Sequence, residues 1–335
     1  MAPSGDGWLI ISDRPVAVAM PDTLAVGVFV AEFTLPLPDT ATLLCDMATQ
    51  EGGERGFSLF YQPEVGLMLR NRQGARLVRH LVPGRLPDSP GTARLTLGFD
   101  TLADTWQMRL EVVEGPAMPA RTARGADPLP LCPGDIGLLS AEPHRQRRHP
   151  AVLWFGLAQG TVPPVRVAWI GLRSPVQTPR GPVAAGRLQP GDLVMTEDDG
   201  PQPLLSLRRM ALPACGSFAP VLLRAPFLPS QHDLLVSSDQ RVLMRGPEVE
   251  YLFGEDEVLI CAAALIDGRT ALDEQRRMIA PSVALLFERP QILNVDSCGL
   301  LAALPEDQPP RRCLLDYEAQ MLMTQLGRGA ARRRA

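Results

Sequence analysis

Residues 235–246, LVSSDQRVLMRG, consist of two apolar runs on either side of a polar stretch. Leu235 and Val236 precede the polar residues 237–241, and residues 242–244 are apolar again. Short apolar runs separated by Ser and Asp predict two β-strands joined by a tight turn. Similar turn-forming stretches recur along the chain, which holds 34 Pro and 29 Gly among its 335 residues. The pattern predicts an all-β protein built from many short strands.

The composition indicates two domains and excludes several kinds of catalytic site. A chain of 335 residues with 45% hydrophobic residues is long for one domain and sufficient for two cores. The net charge of −4 and the pI near 5.7 give no reason to expect nucleic acid as a partner. All 33 basic residues are arginine, which excludes P-loop, Schiff-base and protein-kinase chemistry that needs lysine. The four histidines are not spaced as metal ligands, so we expect no metal and no cofactor.

The cysteines and the N-terminus bear on cellular location. The six cysteines are far apart and mostly have apolar neighbours, which favours buried free thiols and leaves disulfides as the alternative. The N-terminus lacks a charged segment followed by an apolar core, so we expect no cleaved signal peptide. The longest apolar run, near residues 258–266, is far shorter than the roughly 20 residues of a membrane helix. We expect no membrane span and a location in the cytoplasm or an export by a non-classical route.

Residues 1–162 alternate between apolar and polar positions as antiparallel strands do. VGVFVAEFTLPL (26–37) predicts a half-buried strand, and GFSLFYQPEVGLMLRN (56–71) predicts a hairpin. Residues 95–99 and 106–112 alternate on both sides of a polar link, which predicts an antiparallel pair with one buried face. A meander of this length predicts a two-sheet β-sandwich.

LGFD (97–100) followed by WQMRLEV (106–112) resembles the concanavalin A/laminin-G-like jelly rolls. The resemblance implies a jelly-roll sandwich, of a kind that often binds sugar or calcium through Asp- and Asn-rich loops that we do not find here. We therefore expect a scaffold or adhesion module, with glycan binding as the alternative and an unknown protein or glycan as the partner. PHRQRRHP (143–150) predicts a solvated loop, with a polyanion or acidic-glycan patch as the alternative. Pro163 and Pro164 then mark the domain boundary.

The second half carries closely spaced turns between short strands. The segments are TPRG (178–181), LQPGDLV (188–194), PQPLLSLRR (201–209), DLLVSSDQRVLMRG (233–246), YLFGEDEVLICAAALIDG (251–268) and LLFERPQIL (285–293). In this order and spacing they resemble the bacterial Hint (hedgehog/intein-type) domains over residues 168–305. The resemblance implies a compact, curled β-fold.

The resemblance also implies self-processing by an acyl shift. In the family a Cys or Ser that opens the domain attacks the preceding carbonyl, and a His in the later turn protonates the departing amine. A nearby Thr helps to polarise the scissile amide. In this chain Trp169 stands at the nucleophile position, Gln240 at the position of the His, and Pro290 at that of a further family His. Trp cannot attack a carbonyl, and Gln is no acid at neutral pH.

Three residues are left as remnant candidates for chemistry. They are Thr178, Asp239 and Ser174. Asp239 acting as a base toward Ser174 is the enzymatic alternative, although an unperturbed carboxylate is a poor base for a hydroxyl. We therefore expect a degenerate, non-processing Hint domain that acts as a folded interaction or export-associated module. The alternative is residual autoproteolysis near the domain junction.

Residues 306–335 begin with a proline break. Leu314, Leu315, Tyr317, Met321, Leu322 and Leu326 follow with helical spacing, which predicts a short helix packed on the second domain. A partner-binding helix is the alternative. The closing RRRA predicts a solvated tail.

Overall fold

The structure, a computed structural model, describes residues 7–13, 22–48, 55–115, 117–139, 147–274, 276–303 and 309–327. It is mostly antiparallel β-structure with few helices, which confirms the all-β prediction. The chain divides into two compact units. The first comprises Met1–Val165 and Cys215–Ser217, and the second comprises Arg166–Ala214 and Phe218–Ala335.

Two antiparallel sheets form the first unit. Its strands are β1 (Trp8–Ile11), β2 (Val26–Leu35), β3 (Thr42–Ala48), β4 (Arg55–Gln62), β5 (Gly66–Gln73), β6 (Arg76–Pro83), β7 (Gly91–Asp100), β8 (Thr105–Glu114), β9 (Arg121–Gly125), β10 (Arg147–Arg148) and β11 (Val152–Gln159), with the helix α1 (Pro133–Leu139) after β9. One sheet has the order β1-β11-β2-β7-β8-β9, and the other has the order β10-β3-β4-β5-β6. Apolar side chains from both sheets share one core, which is the expected sandwich.

The two hairpins predicted for the first unit are confirmed. β4 and β5 pair around the turn after Gln62, and β7 pairs with β8. In the second hairpin Leu95 lies opposite Leu110, and Phe99 lies opposite Trp106. The segment predicted as a solvated loop, 143–150, is described only from Arg147 onward, and there the prediction is wrong for Arg147 and Arg148, which form β10 because they pair with β3; Arg147 is exposed. Residues 143–146 and the tail at 332–335 lie outside the described residues.

The prediction that β2 is half-buried is wrong. Phe29 faces the sandwich core, but Val28 and Val30 on the opposite face are buried as well. β2 lies in the middle of its sheet, between β11 and β7. Its second face carries a cluster around Glu32 and Trp154, whose indole Nε1 donates a hydrogen bond to Glu32 Oε2 at 2.8 Å. The alternation of buried and exposed residues that is typical of a strand with one solvent-exposed face is absent, because both faces of β2 are covered.

Short, curled strands form the second unit. They are β12 (Ile170–Gly171), β13 (Pro175–Thr178), β14 (Gly181–Ala184), β15 (Leu193–Thr196), β16 (Gly200–Pro203), β17 (Ser206–Pro213), β18 (Pro220–Leu223), β19 (Leu234–Ser237), β20 (Arg241–Arg245), β21 (Glu257–Cys261), β22 (Ala271–Asp273), β23 (Ile279–Leu286), β24 (Ile292–Val295) and β25 (Cys298–Leu301). Among the described residues of this unit the α-helices are α2 (Pro247–Phe253) and α3 (Asp316–Gln325). One sheet has the order β17-β23-β12-β19-β18-β22, and the other follows β14-β13-β24-β25-β20-β21 with β15 and β16 attached at β24.

The predicted C-terminal helix is present as α3, but part of its predicted apolar face is wrong. Ala319, Leu322 and Met323 are buried in the core of the second unit. Tyr317 and Met321 are exposed, and so is Leu315 just before the helix. Residues three and four apart share a helix face, so one buried stripe follows Leu322 and leaves Tyr317 and Met321 on another side. No helix among the described residues is long and apolar enough to cross a membrane.

Candidate functional site

The turn at residues 237–241 forms as the sequence predicts. β19 leads into it and β20 leads out of it, and the Gln240 N–H closes it by donating to the Ser237 carbonyl at 3.1 Å. β19 also pairs with β12, where Val236 lies opposite Ile170. The short strand β12 begins directly after Trp169. The pairing therefore brings the start of the second unit against this turn.

Trp169 contacts the turn through its backbone. The Trp169 N–H donates to Ser237 Oγ at 3.2 Å, and the Ser237 N–H donates to the Trp169 carbonyl at 3.0 Å. Trp169 is only 3% exposed. The peptide group that joins Ala168 to Trp169 is therefore held by a serine side chain of the turn, and the indole is packed in the interior.

Gln240 uses its side chain to fasten the turn to β25. It is 2% exposed, and its Nε2 donates to the Leu301 carbonyl at 2.7 Å and to the Arg241 carbonyl at 3.1 Å. The next peptide N–H, that of Ala302, donates to the Gln291 carbonyl at 2.8 Å. An amide carries two donors at every ordinary pH, whereas a neutral imidazole carries only one. Glutamine thus suits a structural role here.

We expect Gln240→Leu to lower the free energy of unfolding by about 1–3 kcal/mol, because it leaves the buried Leu301 carbonyl without its donor. Equilibrium urea unfolding measures this change. Gln189→Leu is the matched control, since Gln189 is exposed and should change the free energy by less than about 0.5 kcal/mol. Equal effects of the two substitutions would contradict the structural role of Gln240.

Thr178 ends β13 and stabilises the TPRG turn. Its Oγ1 donates to the Gly181 carbonyl at 2.6 Å and accepts from the Arg180 N–H at 3.2 Å. Gly181 has a φ of +105°, which glycine adopts without steric cost. Both hydrogen-bonding functions of the hydroxyl serve its own turn. The described contacts of Thr178 explain local structure and do not direct its hydroxyl at another group.

Ser174 and Asp239 are not joined by a hydrogen bond. Ser174 is buried in the turn before β13, where its N–H donates to the Gly171 carbonyl at 3.0 Å. The Asp239 carboxylate lies 3.8 Å from Arg166 Nη2, and the same guanidinium donates to Ser238 Oγ at 3.1 Å. Asp239 thus pairs with an arginine, and none of its described contacts is with Ser174.

His232, the histidine nearest to Gln240 in the sequence, lies in a different environment. Its ring is 70% exposed, and its Nδ1 is 3.2 Å from Asp296 Oδ2. The Asp296 carboxylate also accepts from the backbone N–H groups of Gln231 and His232. These contacts order the loop before β19. None of the described contacts of His232 reaches Trp169 or Gln240.

Cys261 lies at the turn, although sequence reasoning did not select it. Its Sγ is 3.0 Å from the Ser238 carbonyl, which also accepts from the Ala263 N–H at 2.9 Å. Cys261 ends β21, which pairs with β20, so the pairing of the strands brings the thiol to the turn. Burial raises the pKa of the Cys261 thiol above its ordinary value. The thiol therefore stays protonated and weakly nucleophilic at neutral pH.

A polar cavity of about 380 Å³ lies beside the strand-to-strand connection that contains Pro290. Asp199, Gln202, Pro203, Phe287, Glu288, Arg289 and Gln291 line it. Gln291 Nε2 donates to Asp199 Oδ2 at 2.9 Å, which ties one wall to the other. Among the described residues, no cluster of His, Cys, Asp and Glu has the size that a metal ion requires. All six cysteines are free thiols.

Comparison with known proteins places a family on the second unit. A family model described as "Hint domain" matches residues 172–305, so this segment is a Hint domain, as the sequence motifs predict. The gp41-1 intein is a similar solved structure, with 14% identity, a TM-score of 0.24, and coverage of 40% of this chain and 97% of that chain. No curated protein matches the chain.

Two further solved structures are similar to this chain. The CBM40 of the Ruminococcus gnavus IT-sialidase, bound to α2,3-sialyllactose, has 15% identity, a TM-score of 0.26, and coverage of 43% of this chain and 71% of that chain. The leech intramolecular trans-sialidase has 8% identity, a TM-score of 0.26, and coverage of 42% of this chain and 22% of that chain.

Proposed function

We propose that the Hint domain at residues 172–305 does not process itself and acts as a folded interaction or export-associated module. One observation carries the proposal. At the junction where an acyl shift would begin, Trp169 is buried and its backbone N–H donates to Ser237 Oγ. Gln240 is also buried, and its side chain donates from the turn to the Leu301 carbonyl.

An acyl shift at this junction requires a nucleophile that attacks the carbonyl before residue 169. Trp169 offers none, because the indole nitrogen lone pair belongs to the aromatic system and its N–H acts only as a donor. Covalent catalysis by the side chain at position 169 is therefore absent, and not merely slowed. The ring is also buried, with 3% exposure.

The second requirement is a proton for the departing amine. Gln240 has no titrating group at neutral pH, and its Nε2 hydrogens are directed at two carbonyls. Ser237 Oγ accepts from the junction N–H at 3.2 Å, so this contact directs a lone pair, and no proton, at the amide nitrogen. Such a contact supports the intact peptide bond. It does nothing to make the amine leave.

We expect the purified chain to keep its full mass of 36.4 kDa for days at neutral pH, with or without added thiol. Intact-mass spectrometry measures this directly, because a thioester would react with the thiol and release the part before residue 169. The double variant Trp169→Cys, Gln240→His is the comparison that carries both missing groups. Spontaneous cleavage of the unaltered chain before residue 169 would overturn the proposal.

Residual autoproteolysis is the second candidate function, with the Cys261 thiol at the turn as a candidate nucleophile, although burial keeps that thiol protonated at neutral pH. A thiol 3.0 Å from the Ser238 carbonyl is close to the turn that holds the junction amide. The alternative nucleophile is the hydroxyl of Ser174, which is buried and follows Trp169 closely in the sequence. If the unaltered chain cleaves, Cys261→Ala and Ser174→Ala identify the nucleophile, because only the variant that lacks it stays intact.

Glycan binding by the first unit is a separate candidate, because it concerns other residues and another fold. Its support is an outward sheet face that is rich in arginine and carries a row of apolar side chains. A solution screen against neutral and acidic polysaccharides tests it independently of any cleavage.

A further inference from the structure

One outward sheet face of the first unit is rich in arginine. On β5 Leu69 is buried in the sandwich core, and the alternate side chains Arg70 and Arg72 lie on the opposite face. On β6 His80 is buried, and its neighbour Arg79 is exposed on that same outward face. This face belongs to the sheet β10-β3-β4-β5-β6, whose other side packs on the core.

The strand register places Arg70 and Arg79 in one row across the sheet, and Arg72 lies two residues along β5 from that row, opposite Gly56 and Leu77. Arg70 lies directly opposite Arg79, and on its other side it lies opposite Ser58. Ser58 lies opposite Asp46, which in turn lies opposite Arg147. Ser58 Oγ donates to Asp46 Oδ1 at 2.7 Å, so these neighbours share one face. We define the arginine face by four outward side chains, those of Arg70, Arg72, Arg79 and Arg147.

The charges of the arginine face are not balanced within the described part of the chain. No described carboxylate forms an ion pair with Arg70, Arg72, Arg79 or Arg147, and Asp46 is already bonded to Ser58. Like charges directly opposite on neighbouring strands destabilise a sheet, so the Arg70 and Arg79 pair costs free energy in the isolated protein. An anion bound between them removes that repulsion.

An apolar row runs beside the row of charges. Leu43 lies opposite Phe60, Phe60 opposite Met68, and Met68 opposite Leu81, and all four side chains are partly exposed. The Arg70 guanidinium lies 5.1 Å from the centre of the Phe60 ring. The face thus combines fixed cations with a flat apolar strip across four neighbouring strands.

We infer that the arginine face binds an acidic polysaccharide whose sugar rings carry carboxylates. A guanidinium fork matches a carboxylate with two parallel hydrogen bonds. The apolar C–H faces of the same sugar rings suit the strip formed by Phe60 and Met68. This inference rests on the proposed glycan binding by the first unit and names its ligand class and its residues.

Charge density argues for this ligand over other polyanions. Duplex DNA carries about one charge per 1.7 Å, and its binders neutralise many phosphates at once. The arginine face offers four cations beside one carboxylate, in a chain with a net charge of −4. A polysaccharide with one carboxylate per sugar ring has a lower charge density than duplex DNA. Two arginines that lie opposite each other can pair with one such carboxylate.

Isothermal titration of the full chain with oligogalacturonate, and with neutral dextran of matched length, tests the inference. We expect binding of oligogalacturonate that weakens as salt rises toward about 0.15 M and above. The double variant Arg70→Gln, Arg79→Gln should lower the affinity about tenfold or more. The control is Arg109→Gln, Arg124→Gln, which removes the same charge from exposed positions on the other sheet and should change it less than about twofold.

Each contrary outcome is distinguishable. Absence of oligogalacturonate binding overturns the inference, and so does equal loss of affinity in both double variants. Equal binding of dextran, unaffected by Arg70→Gln, Arg79→Gln, keeps glycan binding as the function but overturns the acidic ligand and this face. Binding of duplex DNA or of phosphatidylserine vesicles without oligogalacturonate binding overturns both. Circular dichroism of each variant shows that the sandwich is still folded.

Discussion

Glu32→Ala should lower the free energy of unfolding of the first unit by about 3–5 kcal/mol. Glu32 is 0% exposed, in the middle of β2. Its carboxylate accepts three hydrogen bonds, from Arg94 Nε at 2.8 Å, from Trp154 Nε1 at 2.8 Å and from the Ser217 N–H at 2.7 Å.

The cost arises from what the substitution leaves behind. The Arg94 side chain is only 21% exposed, and without Glu32 the carboxylate that remains beside it is that of Glu111, whose Oε1 lies 3.8 Å from Arg94 Nη1. The Trp154 indole N–H and the Ser217 N–H also lose their acceptor, and an unsatisfied buried donor costs about 1–3 kcal/mol. Glu32→Gln keeps the shape and an acceptor oxygen but loses the charge. It should therefore cost less than Glu32→Ala.

Denaturant unfolding followed by tryptophan fluorescence measures the effect, since Trp8, Trp106 and Trp154 all lie in the first unit. Glu64→Ala is the matched control, because Glu64 is exposed in the turn between β4 and β5. That change should stay within about 0.5 kcal/mol. If Glu32→Ala behaved like Glu64→Ala, the buried carboxylate would not hold this part of the sheet together.

Acidification should destabilise the first unit through His80. The imidazole is 2% exposed on the inner face of β6, with the Trp106 ring at 4.6 Å and edge-on to it. Among the described residues His80 Nδ1 has no hydrogen-bond partner. Burial lowers the pKa of His80 from 6.5 to about 4, because the charged ring loses its hydration.

The direction of the pH effect follows from this pKa. Above pH 6.5 the ring is neutral in both states, so its contribution to stability is fully present. Between pH 6.5 and about 4 the unfolded chain takes up a proton that the folded chain does not, and stability falls as the pH falls. The total loss from this group is about 3 kcal/mol, of which about 2 kcal/mol should appear between pH 7 and 5.

Urea unfolding at a series of pH values between 7 and 5 tests this prediction, with His80→Gln as the control that cannot titrate. The stability of the unaltered protein should fall by about 2 kcal/mol more than that of His80→Gln over this range. His149, which is not buried, provides a second control through His149→Gln, and that variant should keep the steep pH dependence. Equal slopes for His80→Gln and the unaltered chain would contradict the prediction.

The sequence by itself determined the class of both units and many of their local elements. The alternation at residues 95–99 and 106–112 predicts the β7 and β8 pair, because a short polar link allows only neighbouring antiparallel strands. The turns at Thr178 and at residues 237–241 follow from Pro, Gly, Ser and Asp, which act within a few residues of themselves. Their order along the chain indicated the Hint domain that the family match confirms.

Only the tertiary structure decided which distant residues meet. Cys261 reaches the turn because β21 pairs with β20, and Arg79 faces Arg70 because β6 pairs with β5 in one particular register. The burial of both faces of β2 also depends on residues far along the chain, such as Trp154. Hydrophobic periodicity indicates on which face of its strand a residue lies. It does not fix the register with the neighbouring strand, and a one-residue change of register moves every side chain to the other face of the sheet. Such pairings are set by packing over long sequence separations, which no local pattern encodes.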